Sequence, residues 1–133
     1  MNTGVPTKRV LVVDDNEDNR QILIDLLSGA GYDVLEALTG LDAVAIATRE
    51  RPDLVLMDIQ LPGIDGHEAT RRIKANPTLA RVPVIAVTSY ALAGDDRKAA
   101  EAGCDDYVTK PYSPRALLAK VRTILDDAPA PSG

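Results

Sequence analysis

The sequence predicts an α/β fold, a doubly wound five-stranded parallel sheet with strand order 2-1-3-4-5 and helices on both faces. Five short apolar runs alternate with segments of helical periodicity, which is typical of repeated β-α units. The first, third and fourth runs are almost continuously apolar, as expected of parallel strands that helices cover on both faces. The chain has no Trp and no Phe. We therefore expect a core of Val, Ile, Leu and Ala.

Five strands are predicted from these apolar runs and from the polar residues that bound them. Right-handed crossovers place the carboxyl ends of all parallel strands along one edge of the sheet. Ligands of such open sheets bind outside that edge, so the functional residues are expected there. The predicted strands are Arg9–Val13, Asp33–Ala37, Leu54–Met57, Val84–Val87 and Asp106–Thr109.

The first and last helices carry the clearest signals. The segment Gln21–Ala30 places its apolar residues on one stripe and stops before Gly31, which suits a left-handed C-cap. Ser113 and Pro114 supply an N-cap and a first-turn proline for the last helix, after which apolar residues keep helical spacing up to Leu125.

Three further helices are predicted between these two. Leu41–Glu50 and His67–Ala75 are each followed shortly by a proline, at Pro52 and Pro77. The fourth helix in chain order, Asp95–Ala102, offers only alanines as apolar residues and buries little surface. We expect this helix to be the part of the fold that moves.

Composition indicates one globular domain, expected at residues 8–126 with flexible tails at 1–7 and 127–133. The apolar fraction is 45% and the net charge is −5, with basic residues scattered along the chain, so direct nucleic-acid binding is not expected. Cys104 is the single cysteine and cannot form an internal disulfide. The sequence contains neither a signal peptide nor a run of membrane-spanning length. These features predict a cytoplasmic location without membrane contact.

Chemically active residues cluster at the predicted carboxyl ends of the strands. Asp14 and Asp15 follow the first strand, Asp58 the third, Thr88 the fourth and Lys110 the fifth. In the order 2-1-3-4-5 the first and third strands are neighbours, so the three carboxylates converge. Two carboxylates about 4 Å apart repel by roughly 4 kcal/mol at an effective dielectric near 20, so the cluster needs a counterion. Oxygen ligands without Cys or His favour Mg²⁺.

Such a pocket combines a divalent cation, an ammonium group, a hydroxyl donor and a carboxylate nucleophile. These groups suit the transfer of a phosphoryl group onto a carboxylate, because the cations offset the charge of the incoming phosphoryl oxygens. Alone, the acid pair Asp14-Asp15 is also typical of a solvated strand end or a helix N-terminus. The third acid on the neighbouring strand favours the metal site.

Four segments of the chain carry a family resemblance, and they occur in the family's order. The segments are VLVVDDN at 10–16, DLVLMDIQLPGIDG at 53–66, PVIAVTS at 83–89 and GCDDYVTKP at 103–111. A set of separate motifs is far more specific than one short pattern. On these motifs, the sequence over Arg9–Leu125 resembles the response-regulator receiver domains of two-component signalling, whose sheet has the flavodoxin-like order.

The resemblance implies a phosphoacceptor and a metal site. Asp58 would take the phosphoryl group. Asp15 and Asp58 would bind Mg²⁺, for which Mn²⁺ is an expected substitute, with Asp14 as a direct or water-mediated ligand and the Gln60 backbone carbonyl as a further one. Beyond its own phosphorylation and dephosphorylation, the chain would catalyse nothing.

The resemblance also implies partners and a switch. Thr88 and Lys110 would contact phosphoryl oxygens, and Tyr107 would report the state. A histidine kinase or histidine phosphotransfer protein would donate the phosphoryl group. A downstream protein would bind the face formed by the fourth helix, the fifth strand and the last helix. The segment TSYALAGDD resembles both single-domain cell-cycle regulators and receivers of hybrid kinases, and both alternatives stay open.

Two other functions fit the same fold class. A magnesium-dependent phosphohydrolase of the haloacid-dehalogenase type needs a second acid two residues after its nucleophile, where this chain has Gln60. A flavin-binding module needs phosphate-binding donors after the first strand, where this chain presents two anions. Both alternatives are therefore disfavoured.

Overall fold

The computed structural model describes residues 7–88, 101–109 and 113–125. Five parallel strands form one sheet in the order β2-β1-β3-β4-β5, which confirms the predicted fold class. The strands are β1 Arg9–Val13, β2 Asp33–Ala37, β3 Leu54–Asp58, β4 Val84–Thr88 and β5 Asp106–Thr109.

Four helices with defined bounds cover the sheet in the described parts of the chain. They are α1 Glu17–Gly29, α2 Gly40–Glu50, α3 Gly66–Ala75 and a C-terminal helix at Pro114–Leu125. Three of the four lie at or within one residue of the predicted bounds. The predicted helix Asp95–Ala102 lies outside the described residues except for Glu101 and Ala102, which are helical. Lys110 and the predicted tails, apart from Thr7, also lie outside them.

Helix α1 begins at Glu17, whereas the sequence predicted a start at Gln21. The Asn16 side chain caps the helix by accepting a hydrogen bond from the Asn19 N–H at 2.9 Å. Glu17 and Asp18 fill the first turn, where carboxylates interact favourably with the helix dipole. Apolar periodicity cannot detect a polar first turn, so the prediction began one turn late.

The core lies in two layers, one on each face of the sheet. Alternate residues of β1, β3 and β4 point to opposite faces, because successive strand side chains alternate. Buried residues of α1 and the C-terminal helix cover one layer, and those of α2 and α3 cover the other, as predicted for a doubly wound sheet. The first layer includes Val10, Val12, Leu23, Leu27, Leu54, Leu56, Leu117 and Val121, and the second includes Leu11, Val13, Ala43, Ala47, Val55, Met57, Ala69 and Ile73.

Strands β3 and β4 extend one residue beyond their predicted ends. Asp58 and Thr88 are therefore the last strand residues rather than the first loop residues, and both are buried. The sheet itself thus fixes their backbones. In the part of the chain that the structure describes, no helix has the length and hydropathy needed to cross a bilayer.

Candidate functional site

The carboxyl edge of the sheet brings Asp14 and Asp58 side by side. Strands β1 and β3 are adjacent, and their register ends with Val13 opposite Met57. Asp14 and Asp58 come next on the two strands. Their exposed fractions are only 2% and 5%, respectively. Both residues are therefore buried at the carboxyl ends of their strands and are not on the protein surface.

Asp15 joins these two residues in one acidic cluster. Each of the three side chains offers a carboxylate oxygen, and these three atoms lie within 4.8 Å of one another. Asp15 is exposed, so the cluster opens toward solvent on its side. Oxygens bound to one Mg²⁺ at about 2.0–2.1 Å lie about 3–4 Å apart, so small side-chain movements suffice to close the set around an ion. The donor set and its spacing fit a hard divalent cation.

Local backbone hydrogen bonds orient the two buried carboxylates. The Asn16 N–H donates to Asp14 Oδ1 at 2.9 Å, and the Gln60 N–H donates to Asp58 Oδ1 at 3.0 Å. Each acid thus binds the backbone two residues later, as in an Asx turn. The same geometry in both loops restricts how each carboxylate can rotate.

The loop after β3 returns close to the backbone of Asp58. The Gly66 N–H donates to the Ile59 carbonyl at 3.0 Å, and a Cβ at Gly66 would lie 2.3 Å from the Asp58 carbonyl oxygen. A Cβ at Gly40 would likewise lie 2.6 Å from the Ile64 side chain. Only glycine permits these two approaches. Together they hold the loop that carries Gln60 between β3 and the start of α2.

Thr88 and Tyr107 lie on neighbouring strands toward the other side of the edge. Thr88 ends β4 with an exposed fraction of 7%, opposite Thr109 of β5. Tyr107 pairs with Ala86 and is 39% exposed. In register, Asp58 lies opposite Val87, so Thr88 extends one residue past the acid. Lys110, the remaining predicted site residue, lies outside the described residues.

Arg20 is a residue beside the cluster that the sequence analysis did not single out. It lies on α1, its side chain is 11% exposed, and its Nη1 donates to the Asp14 carbonyl oxygen at 3.0 Å. The available signal was a basic residue one to two turns after an acid pair at a strand end. Such a signal is weak, because arginines on the first turns of a helix are usually solvated.

The comparison with protein families decides the identity of this arrangement. Residues 10–122 match the family model described as the response regulator receiver domain. The chain belongs to the response-regulator receiver family. The resemblance identified from the sequence motifs is therefore confirmed.

Curated and solved relatives agree with this assignment. The receiver is 40% identical over 122 residues to the polar-differentiation response regulator DivK of Brucella ovis, covering 92% of this chain and 99% of that protein. It superposes on the chemotaxis protein CheY4 of Vibrio cholerae with a TM-score of 0.86 and 27% identity, covering 90% of this chain and 100% of that one.

A third relative carries a metal. The receiver domain of the sensor histidine kinase PA1611 from Pseudomonas aeruginosa is 38% identical with a TM-score of 0.81, covering 88% of this chain and 96% of that one. Its structure is described as having a magnesium ion coordinated in the active-site cleft.

Membership of this family gives the general function of the chain. It is a receiver domain of two-component phosphoacceptor signalling, as predicted, and a signalling domain rather than a classical enzyme. None of these comparisons supports the phosphohydrolase alternative.

Proposed function

We propose that Asp58 is the phosphoacceptor of this receiver domain and that it holds Mg²⁺ together with Asp14, Asp15 and the Gln60 backbone carbonyl. The observation that carries the proposal is the acidic cluster, with three carboxylate oxygens within 4.8 Å at the carboxyl edge of the sheet. Asp58 ends the central strand β3, where the sheet and the Gln60 N–H fix its carboxylate. A nucleophile held in this way loses little freedom on reaction.

The proposed reaction transfers one phosphoryl group. A carboxylate oxygen of Asp58 forms a bond to phosphorus, and the bond from phosphorus to the donor atom breaks, with the electron pair leaving on the donor. Bound Mg²⁺ would supply positive charge that offsets the phosphoryl oxygens and the acids. Thr88 would donate its hydroxyl to a phosphoryl oxygen, and Lys110 would pair with another. Mn²⁺ also accepts oxygen ligands and is expected to substitute.

The phosphoryl donor is expected to be a histidine kinase or a histidine phosphotransfer protein. Both are partners of receiver domains in general, and the magnesium-bound relative is itself part of a sensor histidine kinase. The receiver is proposed to span residues 8–126 and to act in the cytoplasm, where its single thiol, Cys104, needs no oxidising compartment.

Incubation with acetyl phosphate and Mg²⁺, followed by intact-mass measurement, tests the acceptor. The wild type should gain the mass of one phosphoryl group, and Asp58→Asn should gain none, because an amide is not a nucleophile. Thr109→Ser, a conservative change on β5, serves as the matched control and should label normally. Labelling of Asp58→Asn, or full labelling in excess EDTA, would rule out this assignment.

Thr88 and Tyr107 are proposed to transmit the phosphorylation. A hydrogen bond from Thr88 to the phosphoryl group would draw this buried side chain toward Asp58, and Tyr107, which is 39% exposed, would turn inward. The face that includes β5 and the C-terminal helix would then present a new surface to a downstream protein. Such a shift needs a differential interaction of about a few kcal/mol, which charge-assisted hydrogen bonds supply.

Amide chemical shifts test this coupling. With beryllofluoride as the phosphoryl mimic, Thr88→Ala should bind the mimic at Asp58 yet show much smaller shift changes along β5 than the wild type. Equal shift changes in both proteins would exclude Thr88 as the coupling residue.

A further inference from the structure

Arg20 connects three elements of the fold beside the acidic cluster. It lies in the first two turns of α1, and only 11% of its side chain is exposed. Its Nη1 donates to the Asp14 carbonyl oxygen at 3.0 Å, and its Nε donates to Glu36 Oε1 at 3.1 Å. Helix α1, the end of β1 and the edge strand β2 therefore meet at one guanidinium group.

We propose that Arg20 is a positioning residue for the metal site, which sets the orientation of Asp14 and Asp15 toward Asp58 without contacting the ion. The carbonyl that Arg20 binds belongs to the peptide unit that links Asp14 to Asp15. Fixing this planar unit fixes the directions in which both acids leave the backbone. This role rests on the proposed function, because it presumes that the two acids bind Mg²⁺.

The surrounding hydrogen bonds show which part of the backbone the Arg20 contact restrains. The Asp14 N–H donates to the Ala37 carbonyl of β2 at 3.1 Å, and Asp14 Oδ1 accepts from the Asn16 N–H. The peptide unit on the amino side of Asp14 is therefore held by the sheet. The contact with Arg20 restrains the unit on its carboxyl side, where β1 has ended.

An arginine suits this position better than a lysine. Its planar fork presents separate N–H donors at fixed angles, so one side chain can bind the Asp14 carbonyl and the Glu36 carboxylate together. A lysine carries its charge on one nitrogen at the end of a flexible stem and cannot reproduce both contacts with the same geometry. Glu36 is 48% exposed and balances the charge of the largely buried guanidinium.

A purely electrostatic role would have the opposite effect on Mg²⁺ binding. A cation close to three carboxylates competes with the metal, so its removal alone would strengthen Mg²⁺ binding. A positioning role predicts that removal weakens binding, because the acids lose their preset geometry. The sign of the change therefore separates the two roles.

The test measures the Mg²⁺ dissociation constant of the full chain by following backbone amide shifts during titration with MgCl₂. Arg20→Met and Arg20→Lys should each weaken Mg²⁺ binding about ten-fold, a typical effect of losing a residue that orients a metal ligand. Glu36→Gln, which leaves an oxygen acceptor for Arg20, should fall between these variants and the wild type.

Arg72→Met provides the matched control, since Arg72 forms an exposed pair with Glu68 on α3 at 3.0 Å. It should leave the Mg²⁺ constant unchanged. Thermal unfolding in EDTA is measured for every variant, and Arg20→Lys supplies the test if Arg20→Met does not fold.

Three outcomes would overturn this role. Tighter Mg²⁺ binding in Arg20→Met would show that the residue acts as a competing charge. A lower melting temperature with an unchanged Mg²⁺ constant in both Arg20 variants would show that it acts only on stability. Failure of the wild type to bind Mg²⁺ would instead overturn the metal site, and the role of Arg20 with it.

Discussion

Aspartates have opposite roles at the two ends of the parallel strands. At the amino edge, where the strands begin, each of two aspartates accepts a hydrogen bond from the backbone of a neighbouring strand. Asp53 Oδ2 accepts from the Arg9 N–H at 2.7 Å, and Asp105 Oδ2 accepts from the Val84 N–H at 2.8 Å. These contacts join the starts of adjacent strands, so the carboxylates act as connectors within the fold.

Basic side chains complete the amino edge. Lys74 reaches from α3 and donates to Asp105 Oδ2 at 2.9 Å and to the Val82 carbonyl at 2.7 Å. Arg9 donates to the side chain of Glu50 and to its carbonyl at the end of α2. Opposite charges are therefore matched along this edge, which stabilises the strand starts.

The carboxyl edge instead concentrates like charges. Asp14, Asp15 and Asp58 present carboxylate oxygens within 4.8 Å of one another. The repulsion between these carboxylates is unfavourable, and a bound cation would offset it. One sheet thus separates two tasks, with stabilising ion pairs at one edge and an anionic site at the other. Substitutions at the two edges should accordingly separate stability from metal binding.

The largest expected effect comes from adding a Cβ at Gly66, where the chain passes close to the backbone of Asp58. Gly66→Ala places a Cβ 2.3 Å from the Asp58 carbonyl oxygen, so the strand end or the start of α3 must shift. We expect a loss of about 3 kcal/mol in unfolding free energy, the upper end of the usual range for overpacking. Phosphoryl uptake from acetyl phosphate should fall as well, since the acceptor moves. Urea unfolding and intact-mass measurement check the two effects.

Gly29→Ala is the matched control for this substitution. Gly29 ends α1, and a Cβ there meets no atom within 4 Å. Alanine should preserve labelling and raise stability slightly, by up to about 1 kcal/mol, because glycine is the poorer helix former. If Gly66→Ala and Gly29→Ala had the same stability and the same phosphoryl labelling, the close approach at Gly66 would not be needed for either property.

The second effect belongs to the amino edge and should leave the metal site intact. Lys74→Met keeps the apolar stem and removes the ammonium group, which is bound to Asp105 and to the Val82 carbonyl. Because the Lys74 side chain is only 17% exposed, we expect a loss of about 1.5 kcal/mol in unfolding free energy. The Mg²⁺ constant should not change.

Arg71→Met gives the control for Lys74→Met on the same helix. Arg71 is 54% exposed and pairs with Glu68, and exposed ion pairs of this type contribute little to stability. Its loss should be barely measurable in urea unfolding. A weaker Mg²⁺ affinity in Lys74→Met would mean that the two edges are coupled through α3 and β4.

The sequence predicted the carboxyl edge more fully than the amino edge, for a physical reason. Strand ends converge wherever parallel strands are adjacent, so the grouping of Asp14 and Asp58 followed from the strand order alone. The contact of Arg20 with the Asp14 carbonyl depends on where α1 begins. That start was predicted one turn late, because its polar capping residues carry no apolar periodicity.

Two further contacts, those of Gly66 and of Lys74, were also not predictable from local sequence patterns. Gly66 belongs to a motif that supported the family resemblance, yet its distance from the Asp58 carbonyl depends on how α3 packs against β3. Lys74 carries no local signal either, because most lysines are solvated. Only the packing against the loop before β4 shows that this side chain is largely enclosed and that its ammonium group binds the Val82 carbonyl.

The smallest expected effect is a pH dependence at the amino edge. Hydrogen bonds from Arg49 and then Arg9 lower the pKa of the Glu50 carboxyl below its ordinary value. A carboxylate with a lowered pKa in the folded state stabilises the protein above its unfolded-state pKa, and this contribution is lost as the pH falls through the folded-state value. The wild type should therefore be slightly more stable than Glu50→Gln at neutral pH.

This advantage should fade in acid, because protonated Glu50 and glutamine then differ little in charge. Urea unfolding of both proteins at neutral pH and at about pH 3 measures the change. High salt should reduce the neutral-pH difference too, since the pair lies at the surface. In an Arg9→Met background, part of the difference should already be missing, because Arg9 supplies one of the two hydrogen bonds. A gap that widened on acidification would show that Glu50 stabilises the protein in its protonated form, and the amino edge would then no longer be an edge of matched charges.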